Sequence, residues 1–151
     1  MARRDVSLGS DPGATAQASE PASTTELERA RMIDILVLEH PPAVRRTLCA
    51  RLAIEPDLRV AGEADEQAAA VHLARALRPH IVLLDAEMPH LDLRGTVEAL
   101  RGVAAAGVVI LTLHTASVAQ ALACAEATVV GKHEGTGALL AALRRAAGPD
   151  G

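Results

Sequence analysis

From Ile33 onward the chain alternates short, uninterrupted apolar runs with longer stretches in which apolar residues recur every three or four positions. The runs are IDILVL (33–38), LRVAGE (58–63), HIVLLD (80–85), GVVILT (107–112) and TVVG (128–131). Each has the length of a strand. The stretches between them predict helices. PAVRRTLCARLAI (42–54) sets Val44, Leu48, Leu52 and Ala53 at helical spacing, with Pro42 suited to a first turn. DEQAAAVHLARAL (65–77) predicts a helix capped by Asp65 and stopped at Arg78-Pro79. LDLRGTVEALRG (91–102) holds a helix starting at Asp92, and ASVAQALACAEA (116–127) and GTGALLAALRRAA (135–147) supply the last two. Five strands therefore alternate with five helices. Strands that are apolar throughout, rather than at every second residue, belong in a parallel sheet covered on both faces. Right-handed crossovers then give an α/β fold, a (βα)5 doubly wound parallel sheet.

The N-terminal stretch lacks this pattern. Residues 1 to about 25 are rich in Ser, Ala, Thr, Gly and Pro without periodicity, and residues 1–31 are expected to be a disordered tail. Within it, TTELERARM (24–32) reads as either a short helix or more tail. The folded domain is expected over 32–148, with no output domain present.

Composition narrows the partners. There is no Phe, Tyr or Trp, so the core must be aliphatic. The net charge of −4 is mixed in sign and forms no basic stripe, which argues against direct nucleic acid binding. No apolar run approaches the ~20 residues of a membrane span. The basic N-terminus is not followed by an apolar segment, so it is no secretory signal and the chain is expected to be cytoplasmic. Cys49 and Cys124 both fall in apolar helical patterns and are expected to be buried small hydrophobes rather than a disulfide or metal pair. His72, His80, His90, His114 and His133 read as surface residues. Of the 15 basic residues only Lys132 is a lysine, which makes it conspicuous.

In open parallel sheets function gathers at the carboxyl ends of the strands. There stand Glu39 and His40 after the first strand, Asp85 at the end of the third, Thr112 at the end of the fourth and Lys132 after the fifth. In a strand order 2-1-3-4-5, strands one, three, four and five are neighbours, so these groups converge. A central carboxylate is a metal ligand or a nucleophile toward phosphorus. A second one helps hold Mg²⁺ against a transferring phosphoryl group. A lysine offers fixed positive charge to phosphate oxygens, and a threonine hydroxyl donates to one of them. No Gly-rich loop follows the first strand, which weakens the case for a nucleotide-binding enzyme.

Taken together, ILVLEHPPAVRRTLCARLAIEPDLRVAGEA and ARALRPHIVLLDAEMPHLD closely resemble the receiver domain of two-component response regulators, above all those that precede LuxR-type helix-turn-helix domains. The resemblance covers residues 33 to 147, about three quarters of the chain. It implies a flavodoxin-like sheet and a non-enzymatic signalling role in transcriptional regulation. It implies phosphorylation of Asp85 by a histidine kinase, with Thr112 and Lys132 as the phosphoryl-binding and switch residues. It further implies a Mg²⁺ site of Glu39, Asp85 and the backbone carbonyl of Glu87, with Pro89 in the Met-Pro turn. The assembly it suggests is a homodimer through the last two helices.

The same resemblance marks departures. His40 stands at the usual metal-ligand position, where an imidazole serves Mg²⁺ poorly, so Mg²⁺ is expected to bind weakly or not at all. Val129 replaces the rotating aromatic ring, and Leu113 replaces a small residue and is expected to crowd the mouth of the pocket. The segment before Lys132 is about two residues shorter than usual, and His133 replaces the common Pro, Asp or Ser. These changes keep a second reading open: an atypical pseudo-receiver that acts by protein or small-ligand binding without Mg²⁺-dependent phosphorylation.

Overall fold

A computed structural model describes residues 21, 23–104 and 106–148. Five strands, β1 (Ile33–Leu38), β2 (Leu58–Ala64), β3 (Ile81–Asp85), β4 (Gly107–Thr112) and β5 (Thr128–Gly131), form one sheet in the order β2-β1-β3-β4-β5. All four strand pairings are parallel, as the unbroken apolar runs require. The helices are α1 (Thr24–Arg31), α2 (Pro42–Ala53), α3 (Gln67–Leu77), α4 (Leu93–Val103), α5 (Thr115–Ala121) and α6 (Thr136–Ala146). A 3₁₀ turn (Lys132–Glu134) joins β5 to α6.

The alternation of strand side chains splits the aliphatic core in two. Leu36, Leu38, Val82, Leu84, Val108 and Ile110 point to one face, where Ala70, Ala74, Val97 and Leu100 of α3 and α4 cover them. Ile35, Val37, Ile81, Leu83 and Val109 point to the other, against Leu52 of α2 and Leu139, Leu140 and Leu143 of α6. Alanine at the helix contacts lets α3 sit close to the sheet without aromatic filler. Gly107 has a comparable purpose: a Cβ there would lie 2.7 Å from the backbone oxygen of Ala146. The N-terminal edge of the sheet is tied by polar bonds. Arg59 grips Asp34 with two 2.7 Å hydrogen bonds across β1 and β2. The Asp34 N–H donates to Nδ1 of His80 at 2.9 Å, so this exposed histidine stitches β1 to the start of β3.

Several boundaries differ from the sequence expectation, each for a visible reason. The tail expected through residue 31 ends in α1, because Ser23 and Glu26 form a capping box: the Ser23 N–H donates to the Glu26 carboxylate and the Glu26 N–H to the Ser23 hydroxyl. Residues 1–20 lie outside the described residues. Asp65 does not cap α3. Pairing with β1 keeps β2 extended to Ala64, so Asp65 falls in the turn and the helix starts at Gln67. α5 stops at Ala121 instead of reaching residue 127; beyond it Arg101 binds both the carbonyl and the carboxylate of Glu126, holding the chain out of the helical path into β5. Cys124 is consequently exposed rather than buried, while Cys49 is half-buried; both are free thiols. Burial, helped by the neighbouring Glu63, pushes the Cys49 thiol up to about 11, so it stays protonated at neutral pH.

Leu83 is almost fully buried in the centre of the sheet. Leu83→Ala is expected to cost about 2–5 kcal/mol through lost burial and a residual cavity. With no aromatic residue to report by fluorescence, urea unfolding followed by far-ultraviolet circular dichroism is the check. A midpoint equal to wild type would contradict this packing.

Candidate functional site

The sheet order delivers the ends of β1, β3, β4 and β5 to one edge, and four of the five expected side chains meet there. Asp85, the last residue of β3, is 7 % exposed. Its Oδ1 accepts from the backbone N–H of Glu87 at 2.9 Å and lies 2.8 Å from Nζ of Lys132. Glu39 follows β1 directly and is 2 % exposed. Its Oε1 accepts from the N–H of His40 at 3.2 Å, and the pairing of Leu38 with Leu84 sets it beside Asp85. Thr112 ends β4 with no exposed surface. Its hydroxyl accepts from the N–H of His114 at 2.9 Å and donates to Oε1 of Glu87 at 2.6 Å.

Lys132 reaches this cluster because β5 ends one residue before it. Gly131 donates its N–H to the Glu134 carboxylate, which fixes the turn that launches the lysine side chain. The loop after β1 is clamped by Arg45, one turn into α2. Its Nη1 donates to the carbonyl of Glu39 at 2.9 Å and more weakly to that of His40, and its Nε lies 3.3 Å from Glu63.

His40 is the residue that does not join. It is exposed and lines a separate cleft with Asp65, Glu66, Gln67, Met88 and His90. Leu113 does not crowd the mouth as expected. Its side chain is 58 % exposed, and its part in the site is a backbone N–H that donates to Oε1 of Glu87 at 2.6 Å. Two contributors were not anticipated from the sequence. The Arg45 clamp carries no motif. The Glu87 carboxylate has a signal, a third acid two residues beyond Asp85, but the family resemblance implies a role only for its backbone.

The charge balance follows from burial and crowding. Burial raises Glu39, and the hydrogen bond and negative charge of Asp85 add to it, so Glu39 is pushed up to about 7 despite the opposing Lys132. Burial also works against ionised Asp85. The hydrogen bonds from Glu39, Lys132 and the Glu87 N–H outweigh it and hold Asp85 below the usual carboxylate value. Burial works against the Lys132 ammonium too, but Asp85 and Glu87 outweigh it and raise its pKa. Near neutral pH the pocket thus holds an ionised Asp85, the Lys132 ammonium and a Glu39 near half-protonation.

Among the described residues no group of three His, Cys, Asp or Glu forms a ready-made metal ligand set. Mg²⁺ needs less, since it keeps several waters and takes one or two carboxylates. Glu39 and Asp85 are buried hard oxygen donors at the ends of neighbouring strands, with no basic partner on Glu39 among the described ion pairs. The donor set therefore fits Mg²⁺ without His40.

Comparisons with known proteins agree with this fold. Residues 35–144 match the family model described as the response regulator receiver domain. The chain is 41 % identical over 80 residues to a protein-glutamate methylesterase/protein-glutamine glutaminase of Myxococcus xanthus, covering 52 % of this chain and 23 % of that protein. It is 33 % identical over 82 residues to the transcriptional regulatory protein LiaR of Bacillus subtilis, covering 54 % of this chain and 39 % of LiaR. The chain thus spans well under half the length of either relative. Among solved structures, the receiver domain of the putative response regulator NarL from Mycobacterium tuberculosis superposes with a TM-score of 0.70 at 28 % identity, over 79 % of this chain and 98 % of that one. Among the described residues no helix is long and apolar enough to cross a membrane.

Glu39 sets a pH dependence. Its folded pKa of about 7 lies above the ordinary 4.5, so the folded chain binds more protons than the unfolded chain between those values. Stability is fully present below the unfolded value and falls, by on the order of 3 kcal/mol, as pH rises through the folded one. Denaturant melts at pH 5 and pH 8, with Mg²⁺ chelated, should show that fall, and Glu39→Gln should flatten it. An unchanged slope in the variant would assign the effect elsewhere.

Proposed function

This chain belongs to the response regulator receiver domains, and on that premise we propose that Asp85 accepts a phosphoryl group from the phosphohistidine of a histidine kinase. The observation that carries this reading is the 2.8 Å approach of Lys132 Nζ to Asp85 Oδ1 in a buried pocket, with the Thr112 hydroxyl at the end of the adjoining strand. Lys132 keeps Asp85 ionised, so the carboxylate is available as a nucleophile. One carboxylate oxygen attacks phosphorus. The new O–P bond forms as the P–N bond breaks, and that electron pair returns to the imidazole nitrogen. The ring leaves neutral because its other nitrogen keeps a proton. Lys132 and Thr112 are the groups positioned to receive the phosphoryl oxygens.

Mg²⁺, when bound, supplies positive charge against the transferring group. Glu39 and Asp85 are the side chains to hold it, with the Glu87 backbone carbonyl in the role the family implies. His40 offers no carboxylate where a third oxygen donor is usual, which keeps the affinity low. The signal is the added negative charge at the strand ends. We assign the output to transcriptional control, the class of the LiaR relative, with the chain acting in the cytoplasm. We place a homodimer on α5 and α6; α5 has no fully buried residue, which leaves much of its surface available.

Incubation with acetyl phosphate and Mg²⁺ should add the mass of one phosphoryl group, mapped to the peptide containing Asp85. Asp85→Asn should add none, and omission of Mg²⁺ should slow the reaction at least about tenfold. A label that persists in Asp85→Asn, or no label from either acetyl phosphate or a phosphorylated histidine kinase, would overturn the assignment.

A further inference from the structure

Glu87 has a side-chain role distinct from its backbone. Its Oε1 accepts from the Thr112 hydroxyl at 2.6 Å and from the Leu113 N–H at 2.6 Å. Its Oε2 lies 3.1 Å from Nζ of Lys132. The carboxylate therefore takes a hydroxyl, an amide and an ammonium at once, from the ends of β4 and β5. The ammonium is the one that also lies against Asp85. On the reading of Asp85 as acceptor, on which this inference rests, these are the donors a phosphoryl group on Asp85 would use. We propose that the Glu87 carboxylate is an internal ligand of the phosphoryl-binding donors, which a phosphoryl group on Asp85 must displace.

The fit is good on one side and incomplete on the other. Oε1 has two short hydrogen bonds. Oε2 is shielded from solvent, and among the described residues nothing makes a directed hydrogen bond to it, so Lys132 holds it by charge alone. A carboxylate has two oxygens and one negative charge; a phosphoryl group brings three oxygens and a larger charge. The phosphoryl group uses the same donors more fully, so it can win the competition. Glu87 also has a way out, because its side chain is 26 % exposed. Until it leaves, it holds the Thr112 hydroxyl in the position a phosphoryl oxygen would otherwise require. The threonine is drawn in before any phosphate arrives.

Two consequences follow from competition by a tethered anion. Anions that coordinate Asp85 bind more weakly than the pocket's donors would allow. The response of Thr112 and Leu113 to such an anion is small, because one acceptor is exchanged for another. Both effects depend on the carboxylate and not on the Glu87 backbone, which remains in any substitution.

The experiment titrates beryllofluoride into the full chain at fixed Mg²⁺ and follows backbone amide spectra. Wild type, Glu87→Ala, Glu87→Gln and the double variant Glu87→Ala/Asp85→Asn are compared. Glu87→Ala should bind at least about tenfold more tightly than wild type. Its Leu113 and Thr112 amides should move further on binding than the wild-type ones. Glu87→Gln keeps the size and one acceptor, so it should fall between, and it serves if the alanine variant does not fold. The double variant should not bind. Equal affinity and equal amide movement in wild type and both Glu87 variants would overturn the inference while leaving Asp85 as acceptor. Absence of Asp85-dependent binding in every protein would overturn the acceptor reading and this inference with it.

Discussion

One ammonium serves three acids at the carboxyl edge of the sheet, and the site follows from that constraint. Lys132 is the only lysine in the chain. It lies 2.8 Å from Asp85 and 3.1 Å from Glu87, while Glu39 follows the neighbouring strand β1. Two unit charges 4 Å apart interact by about 4 kcal/mol at the effective dielectric of a partly buried site. Lys132 makes ion pairs with two of the acids, Asp85 and Glu87. The third answer is Glu39, the most buried of the acids, which holds a proton up to about neutral pH. The one ammonium faces more than one acid, a crowding that a cation such as Mg²⁺ relieves.

The fold exists in a form that makes this crowding tolerable. β3 is sealed on both faces by aliphatic side chains, and Asp85 is placed by its pairing with Leu111 of β4. Around that fixed point, each neighbour is anchored by backbone bonds rather than by side-chain packing. The Glu87 N–H holds Asp85, the His114 N–H holds the Thr112 hydroxyl, and Arg45 holds the carbonyls after β1. Such bonds restrict the groups to small displacements. Val129, which packs against the core from β5, is stiff at χ1 and has no ring to swing. The Glu87 side chain, by contrast, is partly exposed and not held in the hydrophobic interior.

Much of this was legible in the amino-acid sequence. The unbroken apolar runs implied parallel strands, and the strand order followed from the resemblance. The positions of Glu39, Asp85, Thr112 and Lys132 immediately at strand ends then predicted their convergence. What was hidden depended on side chains choosing among partners. Glu87 was near the site by numbering, but only coordinates show its carboxylate turned toward Thr112 and Lys132 rather than toward solvent. His40 was near by numbering as well, yet its ring lies outside, lining another cleft. The end of α5 escaped because alanine-rich sequence favours helix, while Arg101, distant in sequence, binds Glu126 and decides otherwise. Asp65 has the chemistry of a cap, but strand pairing fixed it one residue too early.

The most direct measurement is a crystal structure of the chain grown with Mg²⁺ and beryllofluoride. Beryllium should be bonded to a carboxylate oxygen of Asp85. Its fluorides should contact the Thr112 hydroxyl, the Leu113 N–H and Lys132, and the Glu87 carboxylate should be displaced from all three. Density for the anion away from Asp85, or at Asp85 with Glu87 still bound to Thr112 and Lys132, would contradict the account.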